Sequence, residues 1–331
     1  MAIGKASDFT IYEAEFNGGQ VEGLASNIDA FNAASRNSII LESPMVDRGQ
    51  YHKTSFFKQG TWVSRRDLTS VTAATDIALT QGELIGVKVS RKFGPIAQTI
   101  DAWRKIAKDP REMSFILGQQ YAQHKQQAML DSALLAAEAA IQGQSALNYD
   151  ATGQSTKTLT HGHLVSGLAK FGDRQNAVRC WVMHSKPYFN LMSQAITDKV
   201  YEVAGVTINS GTVASLGRPI VVTDLASTSG GLYDLNGSLT DTYNVLGLVE
   251  GGVRARESER EDVAFELVTG LENLVYRFQA EFSYTIFIAG MKWDVGNGGA
   301  NPTDANLATT TNWDAAVTSD KDKAGIRVVV Q

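Results

Sequence analysis

The 331-residue sequence has one cysteine, Cys180, and only six prolines. A lone cysteine excludes a disulfide framework and any metal site built from several cysteines, and we expect Cys180 to be buried and inert in an apolar strand. The low proline content excludes collagen-like and proline-rich disordered chains. No apolar run approaches the roughly 18–20 residues of a membrane helix, and the N-terminal stretch lacks the hydrophobic region of a secretory signal. We therefore expect a soluble intracellular protein with no membrane contact.

Catalytic motifs are also missing. The sequence contains no G-x-S-x-G, the motif that forms the nucleophile elbow of α/β hydrolases. His184-Ser185 follows a strand and opens a helix, but Ser185 before Pro187 is typical of an ordinary helix N-cap. His161 and His163 are two residues apart at a helix start, whereas metal-binding helices space histidines four apart, so we expect both to be solvated. The sequence therefore predicts no catalytic, cofactor-binding or metal-ligating residue.

Two loops near the end of the sequence have similarly plain interpretations. Residues 296–299 (GNGG) lack the third glycine of a dinucleotide fingerprint, and they predict a flexible β-turn. Residues 320–325 (DKDKAG) contain two acids spaced as at the start of a calcium loop, but the third acid and the distal glutamate are missing. We expect a charged turn at this second position.

Charge is distributed unevenly along the chain, which has a formal net charge of −5. Residues 1–45 have a net charge of −4, residues 46–95 of +4, residues 96–255 of 0 and residues 256–331 of −5. The total excludes a protein that binds nucleic acid through its overall charge. A basic segment between acidic ends suits contact between copies of the chain. The alternative is that the three segments form separate solvent-exposed surfaces that make no such contact.

Eight charged residues are candidates for contacts between copies. Four are cations of the basic segment, which could meet a neighbour's acidic face. The other four belong to the mixed-sign run 254–262 (RARESERED), which is predicted to be a solvated edge with some ion pairs between chains. The candidates are Lys53, Lys58, Arg65, Arg66, Arg256, Glu257, Glu259 and Arg260.

Residues 46–95 predict a long β excursion with little apolar content in its middle. Strands are predicted at residues 51–58, 61–66 and 83–91, and Gly94-Pro95 is expected to end the last of them. A hairpin of this kind would hardly be stable alone in water. We therefore expect it to lie on another subunit.

Two elements are predicted to be unusually long. Residues 110–142 predict one helix, because Asp109-Pro110 is a typical helix start, an approximate 3.6-residue apolar period follows, and Gly143 is a natural end. Residues 274–288 alternate between apolar and polar side chains, which predicts a strand far longer than average. These lengths indicate an elongated platform on which the other parts of the chain are arranged.

Residues 144–255 alternate between helix and strand patterns, which favours a compact α/β unit. Helices are predicted to begin at Thr160 and at Ser185. The predicted strands are residues 177–183, 218–223 and 245–249. A soluble α/β hydrolase centred on 144–255 is therefore an alternative function.

Six short stretches of the sequence are similar to stretches that occur in the same order in a known protein family. They are residues 182–185 (VMHS), 217–224 (GRPIVVTD), 290–293 (GMKW), 301–303 (NPT), 312–313 (NW) and 323–327 (KAGIR). The last four are similar to a G-x-x-W, N-P-T, W, G-I-R run of coat proteins, and the first two look like segments of their axial domain. With the order of arm, β excursion, long helix, α/β unit and long strand, the chain resembles the tailed-bacteriophage major capsid (coat) proteins of the HK97 fold.

The resemblance implies an α+β, HK97-like fold in four parts. The parts are an N-terminal arm (1–45, with a short helix at 26–34), an extended loop or E-loop (46–95), a peripheral or P domain (96–143 and 256–331, with the spine helix 110–142) and an inserted α/β axial or A domain (144–255).

The resemblance also implies a function, that of a structural protein and not an enzyme. Copies of the chain would self-assemble as hexamers and pentamers into an icosahedral shell that encloses double-stranded phage DNA, in a virion capsid assembled in the host cytoplasm. The implied partners are a scaffolding protein, a portal and, as a further candidate, a cement protein. Contact with packaged DNA would be non-specific, and no cofactor is implied. An encapsulin-like protein nanocompartment of the same fold is the alternative shell.

Overall fold

A computed structural model of the chain describes residues 28–29, 31–42, 49–58, 60, 62–66, 68–73, 75–106, 110–202, 216–224, 231–234, 241–259 and 261–331. The strands are β1 (Ile39–Glu42), β2 (Tyr51–Phe57), β3 (Gln81–Thr99), β4 (Asn148–Asp150), β5 (Val178–Met183), β6 (Ile220–Val222), β7 (Tyr233–Asp234), β8 (Thr242–Val249), β9 (Val253–Glu257), β10 (Asp262–Val268), β11 (Val275–Ile288), β12 (Met291–Trp293), β13 (Trp313–Ala315) and β14 (Gly325–Val330). The helices are α1 (Ile100–Ile106), α2 (Pro110–Gln142), α3 (His161–Ala169), α4 (Ser185–Glu202), α5 (Val295–Gly298) and α6 (Asp304–Leu307). Residues 28, 29 and 31–34 are also helical, within the short helix predicted at 26–34.

Six strands form a long sheet in the order β1-β9-β11-β3-β2, with β10 beside the first half of β11. The long strand predicted at 274–288 is confirmed as β11. Its even-numbered side chains from Phe278 to Ile286 are buried, and they lie toward helix α2. The apolar positions of the period-two pattern therefore correspond to the face of this sheet that packs on the helix.

Strand β3 is longer than predicted, because Gly94-Pro95 does not end it. The pairing of β3 with β11 shifts register at this point, so that Gly94 and Pro95 together oppose Gln279. Such a β-bulge leaves one residue outside the hydrogen-bond ladder, which suits a proline without an N–H. Gly94 has a φ of 86°, a value that favours glycine. The prediction of a strand end was wrong because a bulge and a strand end use the same residue types.

Helix α2, called the spine helix from here on, begins at Pro110 and ends at Gln142 as predicted, and its 33 residues span about 50 Å. Asp109, its predicted cap, lies outside the described residues. The second half of the helix is rich in fully buried alanines, including Ala133, Ala136 and Ala140. Their small size allows close packing on β9 and β11 of the long sheet and on β14. The helix is therefore the element that joins the two large sheets.

A second sheet has the order β4-β14-β8-β5-β6, with β7 beside β8. Three of its strands, β5, β6 and β8, match the predicted strands of the 144–255 region to within a few residues. Cys180 on β5 is buried and unpaired, and burial raises the pKa of its thiol to about 11. The prediction of a buried Cys180 is thus confirmed.

The two helices of this region begin close to their predicted starts. Thr160 caps α3, since its Oγ1 accepts a hydrogen bond from the His163 amide. Helix α4 begins at Ser185, but the cap is the preceding residue: His184 Nδ1 accepts from the Lys186 amide at 3.2 Å. Ser185 therefore occupies the first helical position and not the predicted N-cap.

Strand β14 lies in the second sheet, antiparallel to β8 and parallel to β4. Three strands of the long sheet, β9, β10 and β11, separate β8 from β14 along the chain. The chain thus returns to the second sheet after completing the long one.

The two plain loops have defined conformations. Residues 295–298 form helix α5 in place of the predicted flexible β-turn, because Asp294 accepts a hydrogen bond from the Gly296 amide at 2.8 Å and caps the turn. The charged turn predicted at 320–325 contains a 3-10 turn at Asp320–Asp322. Lys323 beside it pairs with Asp320 and donates to Gln144 at 2.6 Å.

Candidate intersubunit surface

The connection between β2 and β3, residues 58–80, is called the tip. Apart from the half-buried Lys58, its described residues are all exposed. Large apolar side chains are among them: Val63 is 89% exposed, Leu68 82% and Val71 102%. Monomeric proteins rarely expose so many apolar groups in one stretch without a binding role. Among the described residues, therefore, no part of the same chain covers the tip.

The second strand predicted in the basic segment, at residues 61–66, is not formed. The described residues 62–66 have no strand conformation and no pairing partner. An extended segment with no neighbouring strand has unpaired backbone groups, so it gains nothing from strand geometry within one protomer. The prediction was therefore wrong for the isolated chain.

The four cations of the basic segment have different positions. Lys53 is an exposed residue of β2, Lys58 follows that strand, and Arg65 and Arg66 are exposed in the tip. Within the described part of the chain, none of the four has a carboxylate within ion-pair distance. Their charges are therefore available to a partner.

The mixed-sign run has a different environment, since β9 lies between β1 and β11 inside the long sheet. Arg256 Nε lies 2.6 Å from Glu42 Oε2 of β1. Glu259 pairs with Lys88 of β3 and also accepts from Ser283 at 3.1 Å. The prediction of a solvated edge was wrong for Arg256, which lies in a central strand, whereas Glu259, which follows that strand, is exposed. Arg260 lies outside the described residues.

Glu257 is the most buried of the candidates, with 8% of its surface exposed. Its partner is Lys125 of the spine helix, whose Nζ lies 2.8 Å from Glu257 Oε1 and 2.9 Å from Glu261 Oε2. Tyr121, one helical turn earlier, donates its hydroxyl hydrogen to Glu261 at 2.8 Å, and burial raises the pKa of this tyrosine. These contacts join the spine helix to β9 and to the residues that follow it.

A second polar cluster lies further along the spine helix. Ser132 contacts the Tyr284 hydroxyl at 2.8 Å and donates to Asp304 of α6 at 3.1 Å. Arg91 of β3 forms an ion pair with Asp304. Asp131 lies next to this cluster, and burial and the charge of Asp304 raise its pKa to about 6.

The Asp131→Asn variant is expected to be more stable than the wild type at pH 7.5. The folded pKa, about 6, is above the ordinary value of 3.8, so ionisation of Asp131 costs stability as the pH rises between these values. Removing that charge should increase the free energy of unfolding by about 1 kcal/mol, after allowance for partial solvent screening. Urea denaturation of unassembled protein at pH 7.5 and pH 4.5 measures the effect. The gain should shrink at pH 4.5, and an equal gain at both values would contradict the assignment.

An acidic surface lies at the free edge of the long sheet. Asp262 of β10 is directly opposite Glu281 of β11, and both are exposed. Like charges in this position repel each other, although Lys92 of β3 lies on the far side of Glu281. In the described part of the chain, β10 pairs with no strand on its other side. The sequence alone gives no sign of this cluster, because only the register of β10 and β11 brings the two carboxylates together.

The His184-Ser185 pair is the start of helix α4 and not a nucleophile elbow. Ser185 Oγ lies 3.4 Å from Nδ1 of its neighbour His184, and the Ser185 amide donates to Asp224 at 3.0 Å. His163 is buried, not solvated as predicted, and desolvation lowers its pKa. The described residues contain no group of three or more metal-ligating side chains, and no helix in them has the length and apolar character to cross a membrane.

Solved structures of phage capsids share this fold. The cyanophage Pam1 capsid asymmetric unit matches with a TM-score of 0.54 and 10% identity over 90% of this chain and 91% of that chain. A capsid structure of Helicobacter pylori bacteriophage KHP30 matches with a TM-score of 0.54 and 10% identity over 90% and 89%. The head structure of Helicobacter pylori bacteriophage KHP40 gives 0.53 and 10% over 89% and 88%. The predicted α+β, HK97-like capsid fold is thus confirmed.

The comparison with protein families covers nearly the whole chain. The model of the family described as major capsid protein 13-like matches residues 8–327. Among curated proteins, none matches the sequence. The family match includes residues 144–255, so the alternative of a soluble hydrolase centred there is wrong. The chain belongs to the major capsid protein 13-like family, and it is a tailed-phage major capsid protein, a structural protein of the virion shell.

Proposed function

We propose that copies of this capsid protein join into the shell by laying the tip of one copy on the acidic edge of a neighbour. The observation that supports this most directly is the exposure of the tip, whose apolar side chains have no cover among the described residues of its own chain. Burying such side chains between copies contributes about 25 cal/mol per Å² of apolar surface. Each contact is then weak, and many contacts around a closed shell are strong together.

Charge supports the choice of receiving surface. The tip and the strand before it provide Lys53, Lys58, Arg65 and Arg66, which have no ion-pair partner among the described residues. The β10 edge provides the opposed carboxylates Asp262 and Glu281. Complementary charge of this kind steers correct docking and register more than it adds affinity.

The four-part division of the chain belongs to the same proposal. In this proposal the arm is 1–45, the E-loop 46–95, the P domain 96–143 with 256–331, and the A domain 144–255. The closing strand β14 forms a bridge between them, because it pairs with strands of the A-domain region. Hexamers and pentamers of the chain would build the shell, with A domains around the capsomer axes.

The other partners are also part of the proposal. The shell encloses double-stranded DNA, and it assembles with a scaffolding protein, a portal and a cement protein as a further candidate. The net charge of −5 supports only weak, non-specific contact with the DNA. Family membership supports the other partners, since shell proteins of this fold assemble with accessory proteins.

The variant Arg65→Glu with Arg66→Glu is expected to reduce the yield of closed shells at least about tenfold, since each neighbour contact loses an attraction and gains a repulsion. Adding Asp262→Lys and Glu281→Lys in the same chain should restore part of the yield. Negative-stain electron microscopy and sedimentation velocity measure the shells, and circular dichroism checks that the protomer is folded.

The matched control is Lys157→Glu with Lys170→Glu, which changes the net charge equally at exposed positions of the second-sheet region. It should assemble better than the tip variant. A normal shell yield from the tip variant, or a rescue that fails while the acidic-edge variant alone assembles, would contradict the proposed contact.

An encapsulin-like compartment is the alternative shell, and only the contents distinguish the two. Purified particles are expected to hold nuclease-resistant DNA of defined length. Particles that hold a folded cargo protein and no DNA would support the compartment instead.

A further inference from the structure

A groove of about 370 Å³ opens beside the C-terminal end of β11, where β2 and β3 continue toward the tip. It is called the β2–β9 groove, and its lining includes His52, Thr54, Leu84, Arg254, Arg256 and Phe287. Phe287 lies across Gly86 of β3, where a Cβ atom would come within 2.5 Å of the ring. The glycine thus allows the ring to form an apolar floor. We propose that this groove binds the acidic, aromatic stretch 8–16 of the same chain.

The walls of the groove provide one uncommitted positive charge. Arg256 is held by Glu42 at 2.6 Å, and its guanidinium lies 5.7 Å from the centre of the Phe287 ring. His52 stands edge-on to the same ring at 5.2 Å. Arg254 is exposed, and in the described part of the chain no carboxylate pairs with it. A ligand with apolar groups and a carboxylate would therefore fit the groove.

Residues 8–16 (DFTIYEAEF) have this chemistry. Phe9, Ile11 and Phe16 can cover an apolar floor, while Glu13 and Glu15 can pair with an arginine. Residues 1–45 have a net charge of −4, so this part of the chain is attracted to the groove. No other stretch of the first 45 residues combines aromatic and acidic side chains so densely.

Chain connectivity favours the same copy. The chain enters the described fold at Ile28, in the short helix whose Asn32 exchanges two hydrogen bonds with Leu41 of β1. Strand β1 pairs in parallel with β9, where Ile40 is opposite Arg254, about 5 Å away. The connecting residues 17–27 include Gly18, Gly19 and Gly23. A chain of eleven residues can span at most about 36–40 Å. The stretch is then held near the groove at an effective concentration on the order of millimolar.

Hydrogen exchange of the full-length, unassembled protein tests the proposal. Amides of residues 9–16 are expected to exchange at least about tenfold faster in Arg254→Glu than in the wild type. Glu13→Lys with Glu15→Lys should also lose the protection. The triple variant that combines these with Arg254→Glu should recover it, because the charges are exchanged and the pairing is kept.

Controls separate docking from general effects. Lys170→Glu makes the same charge change at the C-cap of α3, remote in the sequence from the groove, and should leave residues 9–16 protected. Amides of β11 should be unchanged in every variant, and Arg254→Gln provides a milder change if Arg254→Glu disturbs them. The absence of protection in the wild type, insensitivity to both Arg254 variants, or protection that rises with protein concentration would each overturn the proposal. The measurement precedes assembly, so it stands or fails independently of the tip contact.

Discussion

Replacing residues 59–79 with Asn-Gly is expected to abolish shell assembly and leave the protomer folded. The Lys58 amide donates to the Thr80 carbonyl at 2.8 Å, so these two residues can flank a two-residue hairpin turn. The removed residues contribute no buried side chain among those described. The shorter connection costs less closure entropy, and the free energy of unfolding should rise by about 1–2 kcal/mol. Assembly fails because each copy loses its apolar contact with a neighbour.

Electron microscopy and sedimentation velocity measure the missing shells, and urea denaturation measures the protomer. The full-length tip with Trp62→Ser and Val63→Ser is an intermediate variant, and it should assemble poorly without any change in loop length. Normal shells from the shortened protein would show that the tip is dispensable, and a destabilised protomer would show that the tip packs on its own chain.

Glu138→Ala is expected to lower the free energy of unfolding by about 3–5 kcal/mol. The side chain of Glu138 on the spine helix is completely buried, and its Oε1 lies 2.7 Å from Nε of Arg327 on β14. It also accepts from the Gly231 amide at 3.3 Å. Removing the carboxylate leaves the largely buried arginine without its partner, and that penalty is large in a low-dielectric environment.

The double variant Glu138→Leu with Arg327→Met separates two quantities: the cost of leaving Arg327 buried without a partner, and the net contribution of the ion pair to stability. Replacing both charges by apolar groups should return the stability to within about 1–2 kcal/mol of the wild type. Urea denaturation of the unassembled protein measures all forms. A mild effect of Glu138→Ala, or a double variant as unstable as the single one, would contradict this account.

The long elements could be predicted from the sequence because periodicity is a local property. The spine helix 110–142 and strand β11 satisfy their own patterns over many residues, and no distant contact is needed to recognise them. The continuation of β3 past Gly94 could not be predicted, since it depends on pairing with residues 275–278 far along the chain. Strand 61–66 was predicted from composition, but a strand needs a partner.

For a similar reason, the sequence predicts the cations of the candidate surface but not the pairing of its carboxylates. Composition identifies Arg65 and Arg66 as cations in a stretch without a core. It cannot show that Glu257 is committed to Lys125, because that partner is more than a hundred residues away in the sequence. Nor can it show that Asp262 faces Glu281, which requires the register of two strands. Charge signs are local information, whereas charge pairing is not.

The position of β14 has a consequence for how a newly synthesised copy folds. Its neighbour β8 is made well before it, and all of β9, β10 and β11 are synthesised in between. A nascent chain therefore cannot complete its second sheet until the strands of the long sheet exist, and the closure of such distant pairings is slow. A copy whose β14 has not yet paired keeps an open edge on β8, so it is more prone to mispairing and aggregation than a finished subunit.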